Sequence, residues 1–167
     1  GTTAADRNLI SGNLGDGIRV EDVESVASTG NVILGNFIGI DGTGATAIGN
    51  QLQGVYLTSP GNTVGGAATG ASNVIAGNLL NGILVQSANS NRIEGNLIGT
   101  NFAGTAAVGN SLSGLLIENA ANTVVLSNLI SGNGKTTPDQ VGLSISGSGS
   151  TNNLVQGNRI GTNLAGT

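Results

Sequence analysis

Residues 73–101 hold one full cycle of a pattern: Asn73-Val74-Ile75-Ala76-Gly77-Asn78, then Gly82-Ile83-Leu84-Val85, then Asn91-Arg92-Ile93, and again Asn96-Leu97-Ile98-Gly99-Thr100-Asn101. In each piece apolar, often β-branched residues alternate with variable ones between Gly and Asn, which is the period-two signature of half-buried strands. The opening piece recurs along the chain with isoleucine in third place every time, at Ile10, Ile38, Ile75, Ile98, Ile130 and Ile160. The Gly-led piece recurs from Gly17, Gly54, Gly82, Gly114 and Gly142, and the Asn-x-Val/Ile piece from Asn31, Asn62, Asn91, Asn122 and Asn153. Their order is constant, and no window carries a helical period.

A cycle of roughly 28 to 32 residues with three short strands cannot bury its own apolar face, so it must stack on the next cycle. Stacking predicts an all-β fold, a parallel β-helix (solenoid) of about five to six coils with three strands per coil. Like residues then form columns: Ile18, Val55, Ile83, Leu115 and Leu143 in one sheet; Ile33, Val64, Ile93, Val124 and Val155 in a second; the six isoleucines in a third. Asparagine suits the corners because it tolerates left-handed backbone and its amide can bond the equivalent amide one coil away. Asn36, Asn73, Asn96, Asn128 and Asn158 are therefore expected to form a ladder.

Composition excludes many functions. The chain has 167 residues, of which 30 are glycine, 8% are charged and 2% aromatic, and 38% hydrophobic content is enough for a packed core. Two prolines and no Gly-X-Y period exclude collagen, and no stretch is long enough for membrane insertion. Five basic residues, Arg7, Arg19, Arg92, Lys135 and Arg159, stand against nine acidic ones, and a net charge of −4 argues against nucleic acid as a partner. With no histidine and no cysteine there is no His general base, Cys nucleophile, Cys/His zinc site or disulfide.

The connections vary in a longer rhythm. The segment 41–50 matches 101–110 as a long loop, Ile160 to Thr167 repeats its opening, and 66–73 resembles 1–8. The unit thus spans about two coils, with divisions near 1–65, 66–126 and 127–167. A third unit departs from the pattern, Lys135-Thr136-Thr137-Pro138-Asp139-Gln140 replacing the long loop. The chain reads as one β-helix segment of a longer repetitive protein. Its partners would then be further β-helix repeats of the same chain, or other copies end to end.

The interleaved Asn-x-Ile-x-Gly-Asn, Gly-Ile-x-Val and Ile-Gly-Thr-Asn-x-x-Gly-Thr segments resemble the right-handed parallel β-helix repeats of large bacterial secreted and cell-surface proteins, within the wider pectin-lyase-like group. The resemblance covers essentially the whole chain. It implies a right-handed coil and an extracellular or cell-surface location. It leaves function open, since that fold hosts lyases, hydrolases, epimerases, adhesins and spacers.

In pectin-lyase-like enzymes the outer face of one sheet carries the substrate cleft. Here the Gly-led sheet turns outward Arg19, Tyr56, Leu84, Leu116 and Ser144 in one column, and Glu21, Thr58, Gln86, Glu118 and Ser146 in the next. These residues line either a polysaccharide-binding stripe or an ordinary solvated face. Tyr56, Leu84 and Leu116 make an apolar run expected to be exposed and to dock a partner. Glu21 and Glu118, three coils and thus ~14 Å apart, are too distant for a glycosidase pair. The cluster Glu21, Asp22, Glu24 is a weak calcium candidate, more simply a solvated loop, and no other cofactor is expected. Arg19 beside Glu21 is the one remote counterpart of a pectate-lyase-like arginine base, and the mixed columns lack the threonine ranks of ice-binding β-helices. The leading expectation is a non-catalytic rod for spacing, adhesion or surface assembly, and the alternative a carbohydrate-active or polysaccharide-binding β-helix.

Overall fold

The computed structural model describes residues 1–24, 26–134 and 139–167; Lys135, Thr136, Thr137 and Pro138 of the segment replacing the long loop lie outside them. Among the described residues there is no helix, and short strands build three parallel sheets. The six-stranded isoleucine sheet runs through Leu9–Ile10, Phe37–Ile38, Val74–Ile75, Leu97–Ile98, Leu129–Ile130 and Arg159–Ile160. The glycine-led sheet stacks Ile18–Val20, Val55–Leu57, Ile83–Gln86, Leu115–Glu118 and Leu143–Ser146. The third stacks Val32–Ile33, Thr63–Gly65, Arg92–Glu94, Val124–Leu126 and Leu154–Gln156. The chain is a parallel β-helix with one strand of each sheet per coil.

Register places like on like. All six isoleucines fall in one column, and Ile38, Ile75, Ile98 and Ile130 are fully buried. Each such side chain removed from water contributes about 1.5–3 kcal/mol. In the third sheet the expected column requires a correction: Val125, not Val124, pairs with Ile93 and Val155 and is buried, while Val124 lies opposite Arg92. The strand sits one residue later than its Asn-x-Val motif, because Asn122 takes up a left-handed turn (φ 57°) before it. Thr123 therefore occupies the corner held by Asn31, Asn62 and Asn91 in the coils before, and its buried hydroxyl has no hydrogen-bond partner.

The corner asparagines form a continuous ladder. Nδ2 donates to Oδ1 of the next coil from Asn8 to Asn36, Asn73, Asn96, Asn128 and Asn158, at 2.8 to 3.0 Å. From Asn36 onward the backbone N–H donates to the same oxygen. Their backbones are not left-handed; before Asn36, Asn96, Asn128 and Asn158 that conformation falls on the preceding residue, Gly35, Gly95, Ser127 or Gly157. Asparagine is needed here for its amide. The ladder steps span 28, 37, 23, 32 and 30 residues, a wider range than the repeat suggests. The longest step carries both the long loop 41–50 and the insertion 66–72, and the shortest carries neither.

A second ladder joins Asn13, Asn50, Asn78, Asn110 and Asn133 at 2.7 to 2.9 Å. In the long-loop coils its members come from the end of the loop, Asn50 and Asn110. Asp41 and Asn101, which fill the matching motif position, instead tie their loops: Asp41 accepts from the Thr43 hydroxyl and the N–H groups of Ala45 and Thr46, and Asn101 from those of Thr105 and Ala106. These loops fold over the outer face of the isoleucine sheet, where Phe37, Ile40, Val74 and Ala76 form a second buried cluster. Loops two coils apart also join, Phe102 N–H donating to the Gly44 carbonyl and Leu164 N–H to that of Gly104.

Candidate functional site

The outer face of the glycine-led sheet holds Arg19, Tyr56, Leu84, Leu116 and Ser144 in one register. The apolar run is not an exposed stripe. Leu84 is only 8% exposed and Tyr56 and Leu116 are half-buried. The Tyr56 hydroxyl donates to Gln86 Oε1 on the next coil, so the ring leans across the strand that carries Leu84. The polar column is likewise closed on itself: Gln86 Nε2 donates to Glu118 at 2.6 Å, and the Thr58 hydroxyl donates to the Val20 carbonyl.

Arg19 lies at the start of this face, 2.7 Å from Asp16 and 3.5 Å from Glu21, with its guanidinium 5.0 Å from the Tyr56 ring centre. The hydrogen bond and charge of Asp16 raise its pKa above the ordinary arginine value. A guanidinium held more firmly in its charged form is the reverse of what a base requires. Asp22 accepts from Ser28 N–H and the Ser59 hydroxyl, and Glu24 sits in a left-handed turn closed by Val23 and Val26. Glu21, Asp22 and Glu24 thus do not converge, and among the described residues no three His, Cys, Asp or Glu side chains form a metal-sized group.

A concavity lies elsewhere, on the outer face of the isoleucine sheet. It is a cleft of about 550 Å³ between the insertion 66–72, the long loop at Phe102 and the later loop at Leu164. Its floor is Leu97, Leu129 and the ladder residues Asn96 and Asn128; Thr69, Ser72 and Ser127 add hydroxyls, and Arg159 stands at one side. Phe102 is 50% exposed there, and the Arg159 side chain is exposed with no ion-pair partner among the described residues. The volume falls within the range of small-molecule sites.

The same place one repeat earlier is filled. There Arg7 lies 4.0 Å over the Phe37 ring and 4.9 Å from the Phe102 ring, the two rings being 5.4 Å apart. Arg7 directly precedes ladder residue Asn8, as Ser72 precedes Asn73. At the matching position in the second cleft stands the short hydroxymethyl group of Ser72. Matching 1–8 with 66–73 brings Arg7 opposite Ser72, but the consequence needs the stacking of loops two coils apart, which no linear motif displays.

Beyond the geometry, a family model described as Periplasmic copper-binding protein (NosD) matches residues 42–166. None of the curated proteins matches the chain. Among solved structures, the A-module of mannuronan C-5 epimerase AlgE6 from Azotobacter vinelandii is 16% identical with a TM-score of 0.53, with 90% of this chain and 43% of that one covered. A mutant of the periplasmic alginate epimerase AlgG is 17% identical with a TM-score of 0.50, with 90% and 39% covered. At these identities the likeness is one of fold. The chain spans less than half the length of either enzyme.

Proposed function

From the premise that the chain belongs to the NosD family, we propose that it is a non-catalytic β-helical scaffold of a protein working in the periplasm or outside the cell. The observation that carries this reading is the engagement of seven of its nine acidic side chains in the frame. Asp16 and Glu21 hold Arg19, Glu94 holds Arg92, Glu118 holds Gln86, Asp22 and Asp41 close turns, and Asp6 accepts from Thr3. A general acid needs a carboxyl whose pKa is raised, and Asp41 shows the reverse, being lowered to about 2 by its loop hydrogen bonds. The location rests on the family description and on the periplasmic AlgG neighbour. Incubation with mannuronan and other polyuronates, with and without calcium, is expected to leave them unchanged by NMR. Turnover that disappears in Glu118→Gln would overturn the scaffold reading.

The copper in the family description does not fit the donors of this chain. Copper sites draw on thiolate, thioether and imidazole ligands, and the sequence has no cysteine, methionine or histidine. A copper titration of the chain followed by isothermal calorimetry is expected to show no stoichiometric uptake. The cleft beside Phe102 favours a second reading, in which the scaffold also holds a saccharide.

A further inference from the structure

The geometry points to a binding site for an acidic sugar, a pyranose bearing a carboxylate, in the cleft between Ser72, Leu97, Phe102, Leu164 and Arg159. Three features of the cleft converge on that chemistry. Phe102, 50% exposed beyond its contacts with Phe37 and Arg7, offers together with Leu97 and Leu164 the apolar support on which the C–H face of a pyranose rests. Hydroxyls at Thr69 and Ser72, which also line the cleft, supply both donors and acceptors for sugar hydroxyls. Arg159 presents a planar guanidinium with no carboxylate of its own, and a carboxylate is the partner its fork fits in two-point contact.

The preceding repeat indicates how such a group sits. There the chain supplies its own occupant, the Arg7 guanidinium stacked over Phe37 and beside Phe102, so the corresponding volume is closed by a flat polar group on a ring. In the cleft Ser72 takes the place of Arg7 and Leu97 that of Phe37, and the charged residue in the lining is Arg159. The occupant expected there is polar and negatively charged, filling the space beside Ser72 and meeting the Arg159 cation. This site lies on the isoleucine sheet, away from the outer face of the glycine-led sheet, and it neither needs nor supplies catalytic groups.

A calorimetric and NMR titration of the chain tests the assignment with a mannuronate trimer, the neutral mannose trimer and benzoate as probes. The uronate is expected to bind tightest, at least tenfold over the neutral sugar, the factor a charge-assisted hydrogen bond of about 1.5–3 kcal/mol provides. Arg159→Gln should remove that preference and leave the folded spectrum intact. Ser72→Arg, which rebuilds the plug of the first repeat, should abolish binding of both sugars. Equal affinity for neutral and charged sugar, benzoate binding as tightly as the uronate, no binding at all, or binding unaltered in Ser72→Arg would each overturn the proposal. Failure here leaves the scaffold reading standing, and turnover of polyuronate overturns the scaffold reading without touching the site.

Discussion

At the scale of single residues, the side chains that matter most are those whose shape admits no alternative. Gly82 opens its strand where a Cβ would lie 2.6 Å from the Gly114 carbonyl oxygen, 2.8 Å from Asn110 Nδ2 and 2.8 Å from the Ile98 side chain. Its φ is not left-handed, so close approach between coils, not conformational freedom, selects glycine there. Gly82→Ala is expected to cost about 1–3 kcal/mol through overpacking, read as a lower midpoint in urea unfolding; Gly42→Ala, which meets nothing, should unfold as the parent does. Asp41 makes a different prediction. Its pKa is lowered to about 2 in the folded loop, chiefly by the Ala45 N–H, so its contribution is present above the ordinary carboxyl value near 3.8 and is lost as pH falls through about 2. The protection of amides 41–46 relative to their intrinsic exchange rates should therefore fall over that interval, and Asp41→Asn, which copies Asn101, should remove that loss.

At the scale of elements, the corner columns set the fold and Thr123 marks their one flaw in the third sheet. Asn31 N–H donates to Asn62 Oδ1 and Asn62 N–H to Asn91 Oδ1, whereas the next coil offers Thr123. Thr123→Asn provides the missing acceptor for Asn91 N–H and replaces an unpaired buried hydroxyl, so it should stabilise the chain by about 1 kcal/mol, measured by thermal unfolding; destabilisation would show that the corner cannot accept the larger amide. The isoleucine columns and the first ladder were legible in the sequence because one residue type recurs at one motif position. The register of 124–126 was not, since Asn-x-Val is satisfied by Asn122 while the turn before it consumes an extra residue. The second ladder was hidden for a related reason: Asn13 and Asn78 end short turns, but Asn50 and Asn110 end long loops, and only folding brings them to one height. The cleft was least legible, because its defining feature is the small size of Ser72 relative to Arg7.

At the scale of the whole molecule, burial grows from the ends inward. Val55, Ile83 and Leu115 are fully buried in the central coils, whereas Ile10, Ile18 and Leu143 only pack partly against the same core. Hydrogen exchange should follow that gradient, slowest at the central strands and fastest in 18–20 and 154–156; uniform protection along the chain would mean the coils open as one unit. The asparagine ladders add a property that no single coil has. In every step Nδ2 points toward higher residue numbers and Oδ1 toward lower ones, so the side-chain amide dipoles add head to tail and polarise one another along the axis. The stack of coils is therefore electrically oriented, each ladder step turning its amide hydrogen toward the later coil and its amide oxygen toward the earlier one. A further coil, from this chain or another, continues the columns only in the same sense. Two like faces brought together would meet oxygen to oxygen or N–H to N–H, a built-in rule of direction for anything assembled along this axis.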